Sequence, residues 1–386
     1  MTEKLYYRDS HLFAFTARVL SCEERKDGGF AVTLDRTAFF PEGGGQGGDI
    51  GTLGSARVTD TRENNGEVVH FCDAPLAVGE EVCGEVNAET RFARMQIHSA
   101  EHLVSGNAHA LWGCENIGFH MDEHGAVIDF DRELDAEQLR HLERLANEAV
   151  WKNLPVNILW PTEEELAALT FRQKKELAMP VRIVQVPGVD CCACCAPHVS
   201  FTGEIGLIRL KDRMRHRGGV RFTMLAGRAA YEDAAECYAQ TEGLSRLFSA
   251  QQSGLCSAAE RVLGDLEAEK YARAGFEKRC VSALLASLTP CEGNRLFFEE
   301  SLTSAALRTL AEGGKALCSG ISAAFCPENG GYRYVMASES VDLRAASRDI
   351  NSALEGRGGG APGMIQGSVR ASREKIEEYF YGKGER

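Results

Sequence analysis

From Leu5 to about Asn87, apolar and polar residues alternate in short stretches such as Phe30, Val32 and Leu34, with glycines between them. A two-residue period predicts β-strands. Asn65-Gly66 lies between Val58 and the Val68-Val69-Phe71 run, and two residues tolerant of positive φ there predict a hairpin. The period then lengthens. Arg91 to Trp112 contains no proline and a single glycine, Gly106, so a helix stopping at Gly113 is expected. Asp135 with Gln138 forms a capping-box pattern, and Leu139, Leu142, Leu145 and Ala149 share one face of the helix that follows.

Pro155 to Trp160, Val181 to Val186, Ile205 to Leu210 and Gly219 to Leu225 are β-branched or alternating runs. Ala229 to Leu288 has no proline and repeats Leu244, Leu247, Leu263 and Leu266 at helical intervals. After Thr289 the pattern is α/β again: an apolar run from Leu317 to Phe325, a turn at Asn329-Gly330-Gly331, a strand over Tyr332 to Met336 and a helix over Asp342 to Leu354. Gly356-Arg357-Gly358-Gly359-Gly360 is expected to close that helix as a turn. The expected fold is α+β and multidomain. It has a barrel-like β domain (1–90), an α/β domain holding zinc (91–230), a helical connector (231–288) and a C-terminal α/β domain (289–386).

The 386 residues are 44% hydrophobic, which suits two or three globular domains. No apolar run reaches the roughly 18 residues of a membrane-crossing helix, and charges at Glu3, Lys4, Arg8 and Asp9 break any signal-type core, so a cytoplasmic protein is expected. The 14 cysteines are scattered, apart from Cys191, Cys192, Cys194 and Cys195, which fits reduced thiols and one metal cluster better than a disulfide framework. A net charge of −13 argues against a general nucleic-acid coating protein.

His98 and His102 stand four apart in the first helix, so both imidazoles project from one face toward one ion. Cys194 and His198 repeat the spacing in a loop. Imidazole and thiolate are zinc's preferred donors, and together the four residues make a Cys-His₃ set for one Zn²⁺ per chain. Cys191 and Cys194 also form a CxxC that either binds zinc or is simply a pair of buried thiols. Glu101 lies between the histidines, but the HExxH metalloprotease pattern places Glu directly after the first His, where this chain has Ser99.

Phe39-Phe40-Pro41-Glu42-Gly43-Gly44-Gly45-Gln46-Gly47-Gly48-Asp49 is a glycine-rich turn that lets a substrate approach the backbone, and Gln46 both donates and accepts hydrogen bonds. With PEGGGQGGDIG, HSAEHL, GFHMDEHGAVIDF, CCAPHVSFTGEIGLIRL, RGGVRFTMLAGRAAY and LEGRGGGAPGMIQG in this order, nearly the whole chain resembles the freestanding alanyl-tRNA editing proteins of the AlaX type and the editing part of alanyl-tRNA synthetase. The last motif resembles the DHH-associated domain that ends many of these synthetases. No segment resembles the aminoacylation core. The family commonly has CGGTH or CCGTH where this chain has Cys194-Cys195-Ala196-Pro197-His198.

The resemblance implies hydrolysis without charging: removal of serine, and of glycine as a further substrate, from mischarged tRNA(Ala). It implies His98, His102, Cys194 and His198 as zinc ligands, Gln46 beside the zinc, His120 in the segment lining the aminoacyl pocket, and a role for Thr37 just before the glycine motif. Editing of seryl-tRNA(Thr) is the rival enzyme reading, and a zinc-stabilised tRNA-binding protein without catalysis the rival of another class. For tRNA contact, Arg209, Lys211, Arg213, Arg215, Arg217, Arg221 and Arg228 stand against a single acid, Asp212, and the odd-numbered members from Arg209 to Arg217 are expected on one strand face. Arg357 in its glycine turn is a second candidate, as an anion-binding nest. The C-terminal region is a candidate for pairing two copies of the chain.

Overall fold

The alternating N-terminal segments close into a barrel in the computed structural model, which describes residues 2–382 apart from 27, 123 and 174–178. A short parallel pair, β1 (Glu3–Lys4) with β4 (Arg36–Thr37), stands beside it. The barrel strands are β2 (Ala14–Glu24), β3 (Phe30–Leu34), β5 (Gly51–Leu53), β6 (Ala56–Asn64), β7 (Glu67–Cys72) and β8 (Glu81–Val86), in the order β2-β3-β7-β6-β5-β8. Alternation puts Val82 and Val86 inside and Glu81 and Glu85 outside, and Val19, Val32, Leu34, Leu53 and Val58 fill the interior. The expected hairpin joins β6 and β7, with Asn65 at φ 50° and Gly66 at φ 82°. Closing the sheet removes its edges.

α1 (Ala88–Trp112) follows. Asn87 caps it through Thr90 N–H, and Gly113 at φ 61° ends it. The helix is buried almost all round from Ile97 to Gly106, which is why its histidines are interior residues. A four-stranded sheet packs against it in the order β14 (Ile208–His216), β15 (Gly219–Ala226), β10 (Ala126–Phe130), β9 (Asn116–Met121). α2 (Ala136–Trp151) carries the expected capping box and completes this core with Leu139, Leu142 and Val150. A smaller sheet, β11 (Asn157–Leu159), β12 (Ile183–Val186) and β13 (Asp190–Ala193), holds the cysteine-rich segment, with the short α3 (Glu163–Ala168) between its first two strands. A buried Arg91 at the start of α1 binds Asp49 through Nε at 2.7 Å, the Ala38 carbonyl at 2.5 Å and the Ser10 carbonyl at 3.1 Å. That network ties helix, glycine segment and barrel together.

One expectation about β14 is corrected. Its register against β15 shifts between Lys211 and Met214, with Asp212 at φ 55°. Arg209 and Lys211 lie opposite Leu225 and Thr223, but beyond the bulge Met214 and His216 take the positions opposite Arg221 and Gly219. An extra residue in one strand flips every side chain after it, so the odd-numbered cations do not share one face.

The chain divides at Glu242/Gly243, within α4 (Gly227–Phe248), into Met1–Glu242 and Gly243–Arg386. In the second unit α5 (Leu255–Ser287) precedes β16 (Arg295–Phe298), α6 (Ser304–Lys315), β17 (Ser322–Glu328), β18 (Gly331–Ala337), α7 (Leu343–Ala353), β19 (Gly356–Ala361), β20 (Met364–Val369) and α8 (Arg373–Tyr381). The sheet order is β16-β17-β18-β20-β19. Phe325, Tyr334 and Met336 face Leu343, Ile350 and Ile376 of α7 and α8, while Ala324, Cys326 and Val335 face Leu307 and Leu310 of α6 and Val281 of α5. The glycine run is therefore a strand and not a turn: Gly356 to Ala361 pair residue by residue with Val369 to Met364. A side chain at Gly358 would come within 2.3 Å of the Tyr334 hydroxyl, so close approach inside the sheet explains the glycine. A paired ladder offers no nest of N–H groups, and Arg357 is exposed on its edge strand.

Candidate metal centre

His98 and His102 point from α1 toward Cys194 and His198, which lie just beyond β13. One ligand atom from each of the four residues falls within 4.8 Å of all the others. Cys194 Sγ is 3.5 Å from His98 Nε2 and 3.3 Å from His198 Nε2, and the His102 and His198 rings are 4.6 Å apart. The three histidines are buried and Cys194 is partly exposed.

Each imidazole is held on its far side. His98 Nδ1–H donates to Gln46 Oε1 at 3.1 Å, and His102 Nδ1–H to Asp190 Oδ2 at 2.8 Å. His198 Nδ1 meets Ser99 Oγ at 3.0 Å. A proton on Nδ1 leaves the Nε2 lone pair free, and in all three cases the Nε2 side faces the cluster. Asp190 is anchored in turn by Arg172 through two bonds of 2.8 and 2.9 Å. Burial works to raise the Asp190 pKa, but His102 and Arg172 outweigh it and hold the carboxyl below its ordinary range. Burial likewise opposes the Cys194 thiolate, yet the surrounding histidines bring its pKa well below the ordinary thiol value. Burial pushes His198 down to about 3, so it stays neutral.

The glycine turn lies against this group. Gly43 and Gln46 bond each other's backbone at 3.0 Å in both directions, with Gly44 at φ 63° and Gly45 at φ 87° between them. A Cβ on Gly45 would sit 2.7 Å from the Phe119 ring, and one on Gly44 3.7 Å from both His98 Cε1 and Cys195 Sγ. Only glycines let the turn lie so close. Gln46 is fully buried, and its Nε2 has no hydrogen-bond partner among the described residues. The result is a buried N–H₂ donor fixed beside a thiolate and three imidazoles.

The fold treats the other expected site residues differently. Thr37 is fully buried: its hydroxyl meets His70 Nε2 at 2.8 Å and accepts from Phe39 N–H at 3.1 Å. His70 Nδ1 must donate to the Val32 carbonyl, so Nε2 accepts the Thr37 proton and the hydroxyl is spent inside the barrel. His120 is exposed opposite Val127, whereas its neighbour Phe119 packs 5.2 Å from the His98 ring. Strand alternation thus turns Phe119 and not His120 toward the cluster. Glu101 accepts from Ser105 at 2.7 Å and from Asn116 at 2.5 Å.

Most of the cations are engaged locally. Arg221 binds Asp129 at 2.6 Å, Lys211 binds Asp233 at 2.5 Å, Arg215 lies 3.3 Å from Glu133, and Arg213 donates to the Leu134 carbonyl. Arg217 occupies the β14–β15 turn at φ 48°. Asp190, Arg172 and the bond from Ser99 escape a reading of the sequence. The one hint is Gly106, a helix-weakening residue four past His102, where a Cβ would lie 2.7 Å from Asp190 Cβ.

Residues 2–90 match the family of tRNA synthetases class II (A), and residues 181–222 the threonyl and alanyl tRNA synthetase second additional domain. The alanine--tRNA ligase of Natronomonas pharaonis is 37% identical over 253 residues, 60% of this chain and 26% of that protein. That of Methanopyrus kandleri is 30% identical over 393 residues (96% and 43%), and that of Ignicoccus hospitalis 28% over 390 (98% and 42%). The chain spans less than half the length of these relatives. A solved C-Ala domain of the Aquifex aeolicus alanyl-tRNA synthetase is 20% identical over 23% of this chain and 86% of its own, at a TM-score of 0.20, too low to define a shared fold.

Proposed function

The chain is alanyl-tRNA synthetase-like along almost its whole length, and from that premise we propose that it is an editing hydrolase. It cleaves the aminoacyl ester of mischarged tRNA(Ala), chiefly the seryl and also the glycyl form, acting in trans on tRNA charged elsewhere. The observation that carries this reading is that the matched second additional domain contains Cys194 and His198, and that these meet His98, His102 and Gln46 in one buried group.

One thiolate and three imidazoles with their Nε2 atoms turned inward fit one Zn²⁺ per chain. Zinc bound there by His98, His102, Cys194 and His198 would supply positive charge that holds the pocket together and orients the aminoacyl end. The chain's own part is positioning. Gln46 Nε2–H is placed to donate to the ester carbonyl as it becomes an oxyanion, and the glycine turn admits the aminoacyl end close to the backbone. An activated ester needs little more than an oriented water. A pocket built for alanine rejects glycine and serine by only about 1–3 kcal/mol, whereas a second site that bonds the serine hydroxyl spares alanine.

The test is deacylation of seryl-, glycyl- and alanyl-tRNA(Ala) by the purified chain, with seryl-tRNA(Thr) alongside. Seryl-tRNA(Ala) is expected to be cleaved roughly 5- to 150-fold faster than alanyl-tRNA(Ala), the equivalent of about 1–3 kcal/mol for an unpaired polar group. Equal rates on both overturn the editing assignment. Tight tRNA binding without cleavage establishes a carrier instead.

A further inference from the structure

Beside the cluster, a row of aromatic rings leads to solvent. Tyr6, packed with Phe40 and Ala196, is buried, and its ring lies 4.6 Å from that of Tyr7. Tyr7 meets Trp160 at 5.4 Å with the planes at 73°, and Trp160 is 47% exposed. Beneath Tyr7 lies the Arg182 guanidinium, 5.4 Å from the ring centroid. Arg182 donates to the carbonyls of Cys194 at 2.8 Å and Ala196 at 2.9 Å, and has no carboxylate partner among the described residues. Its main countercharge is the Cys194 thiolate of the cluster. Lys4, shared with Glu63, adds a second ammonium 5.7 Å from the Tyr7 centroid. Of the acids after Trp160, Glu163, Glu164 and Glu165 lie in the first turn of α3, and Glu165 closes a capping box with Thr162.

Core packing accounts for Tyr6. It does not account for Trp160, which leaves a large indole in water at the end of the row. A half-buried ring and an exposed one, with a guanidinium under the first, suit flat, electron-rich partners joined by phosphates, and bases offer such faces only when unpaired. Burial, then the Cys195 thiol nearby, push the Tyr7 phenol up to about 12, so the ring stays neutral at physiological pH. We propose that Tyr7 and Trp160 are a stacking platform for the unpaired nucleotides at the 3′ end of the tRNA, which delivers the terminal ester to the cluster one ring contact and one hydrogen-bonded loop away. The choice of tRNA rests on the hydrolase reading above. The platform itself rests on the rings and on Arg182.

Two measurements separate the two ideas. A fluorescently labelled single-stranded RNA ending in CCA is titrated with the full chain, with Trp160→Ala and with Trp160→Phe, and read by anisotropy. Zinc content monitors the fold of each variant. Wild type is expected to bind it, Trp160→Ala about 5- to 150-fold more weakly, and Trp160→Phe close to wild type. A blunt duplex of equal length is expected not to compete. In seryl-tRNA(Ala) deacylation, Trp160→Ala is expected to raise KM by a similar factor with kcat and zinc unchanged. Equal affinity and equal KM in Trp160→Ala overturn the platform even where cleavage is robust. RNA binding that depends on Trp160, without cleavage of any charged tRNA, supports the platform and overturns the hydrolase reading.

Discussion

Gln46 commits its carbonyl to His98 and leaves its N–H₂ without a partner among the described residues, an expensive arrangement in a fully buried side chain unless a ligand completes it. Gln46→Ala is expected to lower kcat by about 10²- to 10³-fold, the usual cost of an oxyanion donor, while the protein keeps its zinc by metal analysis. Cys194→Ala is expected to lose both. His70 has a different consequence. Burial lowers its pKa from 6.5 to about 4, so between those values the unfolded chain takes up a proton that the folded chain refuses. Stability is present above pH 6.5, falls as pH drops toward 4 and levels off below it, by about 3 kcal/mol in all. Urea unfolding at pH 7, 5.5 and 4.5 measures this, and His70→Gln is expected to flatten the dependence. The grouping of the four candidate ligands was legible because His98/His102 and Cys194/His198 each carry their geometry in a local spacing. Their supports were not: Asp190 and Ser99 reach the histidines only after the fold brings distant elements together, and the fates of Thr37 and His120 depend on His70 and on the pleat of β9.

Helices α1 and α2 could be read from sequence because their ends are written in single residues, Gly113 and the Asp135/Gln138 pair. The bulge at Asp212 could not, since the register of β14 is a relation to β15 and not a property of either strand. The same holds for β19, whose glycines resemble a turn until β20 and Tyr334 stand against them. The turn from Gly43 to Gln46 is the element where conformation and packing coincide. Gly45→Ala is expected to force both a positive φ and an overlap with Phe119, at a cost of about 1–3 kcal/mol. Seryl-tRNA(Ala) cleavage should fall with it, while Gly66→Ala, at positive φ but in open space, should cost less stability and leave cleavage intact. Thermal unfolding and a deacylation rate for each variant decide the matter.

Each of the two units of the whole molecule has its own core, and every residue of the candidate site lies in the first. Truncation after Glu242 is expected to leave one zinc bound and cleavage intact at high tRNA concentration, and to weaken cleavage at low concentration. An unchanged KM in the truncated chain removes any tRNA-binding role from residues 243–386.

A metal ion held by the cluster would also act as a clasp on the chain's topology. His98 and Cys194 are 96 positions apart, and α2, α3 and strands β9 to β13 lie between them. A cation held by both ends closes that loop as a covalent cross-link would, a restriction on the unfolded chain of about 5 kcal/mol by loop-entropy reckoning. The four donors converge only after the intervening helices and strands have found their places, so tight capture of the ion comes late in folding, as a lock turned on a finished structure. A chain in which that stretch fails to close keeps the two donor pairs apart, and a firmly held ion would mark each molecule whose first unit has assembled.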